Sequence, residues 1–267
     1  MDAMTDTAWT DPFLSLEGAS NFRDVGGLPV AGGGAIRRGV LLRANQLSGL
    51  TERDRATLAP LDVRVIHDLR QGEERTRTPT DWPGPRIVAA TERDHLPRWQ
   101  EALGRQASDE QGARQFLLDL YTALPFDFAP RIALIARGIA EGEGACVVHC
   151  SAGKDRTGVV VAVLLALAGV PRDAIVRDYM LTQGRTNLSD DQRRAFARAQ
   201  ERHRDAGTAI SDAMHAVLMS VDPAFLDAAF GAIEDRHRDF ATYAREGLGL
   251  GDKEREAYRR AMIAPEE

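Results

Sequence analysis

Apolar positions concentrate near the middle of the chain. Residues 145–148 (Ala-Cys-Val-Val) form a short continuous apolar run that ends at His149-Cys150. A polar loop follows, Ser151-Ala152-Gly153-Lys154-Asp155-Arg156, and an apolar segment of helical length opens at Thr157. This pattern predicts a strand buried on both faces, a tight loop and a buried helix. Upstream, GVLLRA at 39–44, VRVIHDL at 63–69 and RIVAA at 86–90 read as further strands, with a short one at Phe13–Leu16 and a turn at Ala31–Gly34. Thr51 with Asp54 three residues on is an N-cap signature, starting a short helix toward Pro60. Strands alternating with helical segments predict an α/β fold: a mainly parallel central sheet of four or five strands flanked by helices.

From Asp109 onward the period is helical. Residues 113–124 are amphipathic, 128–142 lead into the central strand, and 171–183 begin with Pro171 in the first turn. Asp222-Pro223 marks another start, and the last helix spans 252–262 after GLGLG. Residues 1–12 read as a frayed tail and 13–267 as one domain, within which the more charged stretch 185–246 is expected to form a helical lid over the site.

A chain of 267 residues with 43% hydrophobic content can bury a core without disulfides or a structural metal. Its net charge of -6 argues against a general nucleic-acid binder. The N-terminus carries no apolar signal core, and the run after Thr157 is too short to span a bilayer. A cytoplasmic protein with no membrane insertion is therefore expected. Cys146 and Cys150, four residues apart on one strand, would lie roughly 13 Å apart, too far to pair. Cys146 reads as a small buried hydrophobe. The six histidines are scattered without metal-ligand spacing, so neither metal nor cofactor is expected. Gly153-Lys154 is followed by Asp155 rather than Ser or Thr, which excludes an ATP-binding P-loop.

The loop chemistry is more specific. Backbone N–H groups of a tight loop and the first turn of a helix would converge on one point, a ready anion site. Cys150 would sit at its rim and Arg156 would close it. A helix N-terminus and a neighbouring cation favour a thiolate, and a planar guanidinium can grip two phosphate oxygens. The chemistry suggested is thiolate attack on a phosphate ester. Gly153 supplies a conformation that other residues resist, and His149 reads as a core histidine that shapes the loop. Lys154 is one of two lysines among 34 basic residues, so its ammonium suggests a role that arginine would not fill.

The string HCSAGKDRTG (149–158) resembles the signature loop of the cysteine-dependent tyrosine phosphatase superfamily. Together with NFRDVGG at 21–27 and Asp68-Leu69-Arg70, it resembles an atypical bacterial branch with mixed phosphotyrosine and phosphoinositide activity. The resemblance extends from about residue 13 to 263. It implies Cys150 as nucleophile, Arg156 as phosphate clamp, Thr157 as a hydroxyl donor to the departing thiolate, and Ser151, Ala152, Gly153 and Lys154 as substrate-binding loop residues. It also implies Asp155 as general acid. The Trp-Pro-Asp device of many relatives is absent, since Trp82-Pro83 precedes Gly84. Asp68, at a strand's carboxyl end, is the second candidate, as acid or as partner to Lys154 or Arg156; Asp81 and Asp94 are further ones. Arg23-Asp24 could meet substrate or form an ion pair beneath the loop. The expected substrates are phosphoproteins or phosphoinositides. The alternatives are a non-catalytic phosphate-binding module and a mainly phosphoinositide-directed phosphatase.

Overall fold

Strand β6 (Ala145–His149) runs through the middle of a five-stranded sheet, its residues all buried. The computed structural model describes residues 12–89, 99, 101–103, 109–185 and 211–265. In the sheet, β1 (Arg23–Asp24), β3 (Leu41–Ala44), β6, β4 (Val63–Asp68) and β5 (Arg86–Ala89) lie side by side in that order. Only β1 is antiparallel, to β3; the other pairings are parallel. A separate two-stranded ribbon joins β2 (Ala35–Ile36) to β7 (Ile263–Ala264). The register sets Ala44 and Asp68 opposite His149, so three strands end level and their following loops emerge together.

Alternation along the strands divides the core in two. Leu41, Val65, Cys146 and Val148 face a large cluster, while Leu42, Ile66, Ala145 and Val147 face a smaller one with Phe22, Leu58 and Trp82. The small cluster is covered by α1 (Glu52–Leu58), whose Thr51–Asp54 capping box forms in both directions. The large one is built from α3 (Glu110–Asp127), α4 (Ala129–Ala140) and α5 (Asp155–Ala168), following α2 (Gly72–Arg77) in the chain. Every residue of α5 from Thr157 to Leu165 is buried, which explains its continuous apolar sequence. Beyond it lie α6 (Arg172–Met180), α7 (Asp212–Met219), α8 (Pro223–His237) and α9 (Asp252–Met262). Among the described residues no single helix is long and apolar enough to cross a membrane.

Some expected boundaries shift. Phe13–Leu16 is not a strand: Phe13 makes one isolated bridge to Arg23, and Leu14 N–H donates to the Phe22 carbonyl at 3.0 Å. The central helix opens at Asp155 rather than Thr157, so two polar loop residues lie in its first turn. Helix α3 runs through Pro125, whose carbonyl accepts the buried Tyr243 hydroxyl at 2.6 Å. In the expected lid region, α8 enters the main core through Phe225, Leu226, Ala229, Phe230 and Ile233. Residues 186–210 of that region, residues 1–11 of the expected tail, and Asp94 lie outside the described residues.

Two histidines occupy the central strands. Burial pushes His67 down to about 3, with Arg131 and Arg86 adding to the effect. Burial likewise lowers His149 to about 4, although Asp68 pulls the other way. Both folded values lie below the ordinary value of 6.5, so in acid the unfolded chain takes up protons that the folded chain refuses. The sign is then definite: the full stability of these sites is present above pH 6.5 and is lost as pH falls, down to about 4 for His149 and about 3 for His67. We predict that the urea-denaturation midpoint declines steadily from pH 6.5 to about 4.5, before the paired carboxylates titrate. A flat midpoint across that window would contradict the burial of neutral imidazoles.

Candidate active site

The bowl forms where three level strand ends meet the start of α5. Leu69 N–H caps the His149 carbonyl at 2.9 Å, and Gln46 N–H holds the Ser151 carbonyl at 3.0 Å, so loops from both neighbouring strands pin the 149–151 turn. Cys150 is 2% exposed at its floor. Gly153 N–H points at the Cys150 sulfur, 3.3 Å away. Gly153 has φ +68°, and a Cβ there would come within 2.6 Å of the Ala44 carbonyl oxygen. Only glycine satisfies both the dihedral and the close approach. With α5 beginning at Asp155, its free N–H groups and dipole face the same space.

Arg156 stands at the rim, held by a residue that the sequence did not single out. Its two terminal nitrogens donate to Glu74 at 2.7 and 2.9 Å, and Nη1 also reaches the Leu69 carbonyl at 3.4 Å. The Nε edge makes no hydrogen bond to a described residue and remains for an oxyanion. Ser151 donates its hydroxyl to the same Glu74 carboxylate. Burial would raise Glu74, but Arg156, Ser151 and the Gln71 N–H hold it at about 2. Burial opposes the charge on Arg156, and Glu74 with Cys150 more than offsets it. The available signal was local: Gln71 and Glu74 form a capping box at the start of α2, with Gln71 N–H donating to Glu74 at 2.8 Å.

Asp155 meets two donors on one oxygen. Tyr121 donates to Oδ1 at 2.9 Å, and the Lys154 ammonium approaches Oδ1 at 3.0 Å, leaving Oδ2 with no hydrogen bond to a described residue. Tyr121 hydrogen-bonds Tyr179 at 2.7 Å, and burial raises both phenols, which therefore stay neutral donors. The assignment of Lys154 as a substrate contact needs correction for this conformation. Its ammonium donates to the carbonyls of Leu218 at 2.7 Å and Ser220 at 2.9 Å, besides Asp155. All three donors of the group are thus used. Lys154 ties the loop to the C-terminal end of α7, where a cation also suits the helix dipole. Thr157 is buried, and its hydroxyl has no partner among the described residues, so the expected bond to Cys150 is not made here. Ala152 is half-buried in the loop between Ser151 and Gly153.

Asp68 is not brought to the bowl. Its two oxygens take Nε and Nη2 of Arg70 at 2.9 and 2.7 Å, and it is 1% exposed. Burial would raise its carboxyl, but His149 when protonated and Arg70 always hold it low. A buried, bidentately bound carboxylate is a poor proton donor, and it touches neither Lys154 nor Arg156. Arg70 reaches on to the Thr78 carbonyl at 2.6 Å and the Thr80 hydroxyl at 2.9 Å, so the pair fastens the segment that carries Glu74. His149 lies beneath, with Nε2 3.6 Å from Asp68. Asp81 is exposed, and Trp82 packs on Phe22 with ring centroids 6.4 Å apart, a core contact rather than a moving loop. Among the described residues no group of three or more His, Cys, Asp or Glu could hold a metal ion.

The chain is similar to known proteins. Residues 14–264 match the profile described as the Tyrosine phosphatase family. A Cupriavidus necator protein named as a tyrosine-protein phosphatase is 29% identical over 88% of this chain and 84% of its own length. The triple specificity protein phosphatase PtpB of Mycobacterium tuberculosis is 33% identical over 67% of this chain and 71% of its own. The crystal structure of P. aeruginosa TpbA overlaps at 15% identity and a TM-score of 0.33, over 72% of this chain and 86% of that one, a likeness too loose to carry weight.

Glu74 is predicted to support the reaction through Arg156 and Ser151. Glu74→Ala frees the Arg156 fork and the Ser151 hydroxyl, and should lower kcat/KM on an aryl phosphate by about ten- to a hundredfold. That is the loss expected from charge-assisted hydrogen bonds worth roughly 1.5–3 kcal/mol. Unchanged kinetics in a folded variant would show that Arg156 needs no such support.

Proposed function

The chain belongs to the tyrosine phosphatase family, and on that premise we propose that it hydrolyses phosphate monoesters, phosphotyrosine foremost, through a phosphocysteine formed at Cys150. The observation that carries this reading is the buried Cys150 sulfur with the Gly153 N–H trained on it, at the opening of α5 and beside the Arg156 fork. No metal enters the scheme.

In the first step the substrate phosphoryl group lies in the bowl, its oxygens on loop N–H groups and on Arg156. The Cys150 thiolate attacks phosphorus in line, an S–P bond forms, and the ester P–O bond breaks. Asp155, through Oδ2, gives its proton to the departing phenolate oxygen. In the second step water attacks phosphorus and returns a proton to Asp155. The S–P bond breaks, releasing inorganic phosphate and restoring the thiolate. Arg156, steadied by Glu74, holds the oxygens as negative charge is redistributed in both steps. Thr157, whose buried hydroxyl has no partner among the described residues, is suited to donate to the sulfur as it leaves.

The M. tuberculosis relative's name, triple specificity, supports a substrate range wider than phosphotyrosine, which we extend to phosphoserine, phosphothreonine and phosphoinositides. A contact from Lys154 to an inositol phosphate would require its ammonium to leave the Leu218 and Ser220 carbonyls. A module that binds phosphate without turnover has no use for the complete set of Cys150, Asp155 and Arg156.

The acid assignment has a direct test. Asp155→Asn should hurt hydrolysis of an ester with a poor leaving group by about 10²-fold more than one with a good leaving group, whose departure needs no proton. Cys150→Ser should abolish turnover of both. An equal loss on the two esters in the Asp155 variant would reduce that residue to shaping the loop.

A further inference from the structure

The NFRDVGG segment, far from the signature loop in sequence, lies directly behind it. The Gly153 carbonyl accepts two hydrogen bonds from that side, from Asn21 Nδ2 at 3.1 Å and from Arg43 Nη2 at 3.0 Å. Asn21 and Arg43 are 0% and 1% exposed. A trans peptide directs its C=O and N–H in opposite senses. Fastening the Gly153 carbonyl outward therefore turns the N–H of the next residue, Lys154, inward. Lys154 N–H precedes the first turn of α5 and makes no hydrogen bond to a described residue. Turned in this way, it would face the side from which the neighbouring Gly153 N–H reaches Cys150.

The donors are themselves fixed by a buried cluster. Asp178 takes Arg43 Nη1 at 2.6 Å and Arg23 Nε at 2.8 Å. Arg23 also donates to the Asp178 carbonyl at 2.9 Å, to Thr182 at 3.2 Å, and to the Asn21 side-chain oxygen. Two guanidinium groups thus share one carboxylate, all three 2% exposed or less, leaving one positive charge unbalanced among the described residues of the cluster. A buried surplus charge is costly unless an opposite charge lies close by. The Gly153–Lys154 peptide separates this surplus from the bowl, where an anion would provide the balance.

We propose that Asn21 and Arg43 are positioning residues, which turn and polarise the Gly153–Lys154 peptide so that Lys154 N–H becomes an oxyanion donor, with the Arg23–Asp178 pair holding Arg43 in place. The inference rests on the phosphatase reading in one respect, that an oxyanion occupies the bowl. It gives NFRDVGG a function through the loop rather than through contact with substrate.

The test is competitive inhibition of aryl phosphate hydrolysis by inorganic phosphate in Arg43→Met, Arg43→Lys and Asn21→Ala, with thermal melting of each. Arg43→Met leaves Asp178 paired with Arg23, so no orphaned carboxylate results. The expected result is phosphate inhibition weakened about tenfold or more in Arg43→Met, the loss of one charge-assisted contact. Arg43→Lys should recover a large part of the affinity and Asn21→Ala should lose a smaller part. Exposed Arg64, paired with Asp62, gives the control Arg64→Met, which should behave as the parent. Should Arg43→Met fail to fold, Arg43→Lys and Asn21→Ala decide: parental phosphate inhibition in both overturns the proposal. Parental inhibition in a folded Arg43→Met overturns it equally. An inactive parent protein would instead refute the phosphatase reading, so the two failures are distinguishable.

Discussion

Cys150 lies almost wholly out of water at the end of the central strand, and any negative charge it or a bound phosphate carries must be balanced from within the fold. The surroundings follow from that constraint. Arg156 faces the bowl and is braced from behind by Glu74; Arg43 is braced by Asp178; Arg70, further out, is braced by Asp68. In each case a carboxylate fixes a guanidinium's position. Ion pairs of this kind contribute little net stability when buried, because desolvation offsets the attraction. Their value here is geometric, since a preorganised donor need not reorganise as charge moves during reaction.

The sheet supplies the other half of the geometry. Parallel strands that end level bring the loops after β3, β4 and β6 to one place. The loop after β3 supplies Asn45 and Gln46, which crowd and pin the signature loop, and the one after β4 supplies Arg70 and the helix bearing Glu74. Helix α5 aims its N-terminus at the same point because its apolar sequence lets it bury nearly every residue beneath the bowl. Function is therefore concentrated on one edge of an otherwise ordinary α/β core.

Much of this was legible in the sequence where the signal is local. The strand, loop and helix around Cys150 follow from the switch between apolar and polar runs, and the Thr51–Asp54 cap from its spacing. Partners distant in the chain were not legible. Glu74 meets Arg156 across 82 residues, Asp178 meets Arg23 across 155, and Tyr121 meets Asp155 across 34. A local cap marks Glu74 as a helix start, but nothing in the immediate neighbours of these residues names the distant partner. The same limit explains Lys154 and Asp68. Chain position suggested a site role for both, but it could not reveal that the carbonyls of Leu218 and Ser220 engage one charge and Arg70 the other.

The central claim is that Cys150 carries the phosphoryl group between the two steps. The most direct measurement is a rapid acid quench of the enzyme during turnover of a radiolabelled aryl phosphate, followed by peptide mapping. The account predicts acid-trapped label on the Cys150 sulfur, assigned by fragmentation of its peptide and absent from the Cys150→Ser protein. Label on the Ser151 hydroxyl, or label retained by the Cys150→Ser protein, would contradict it.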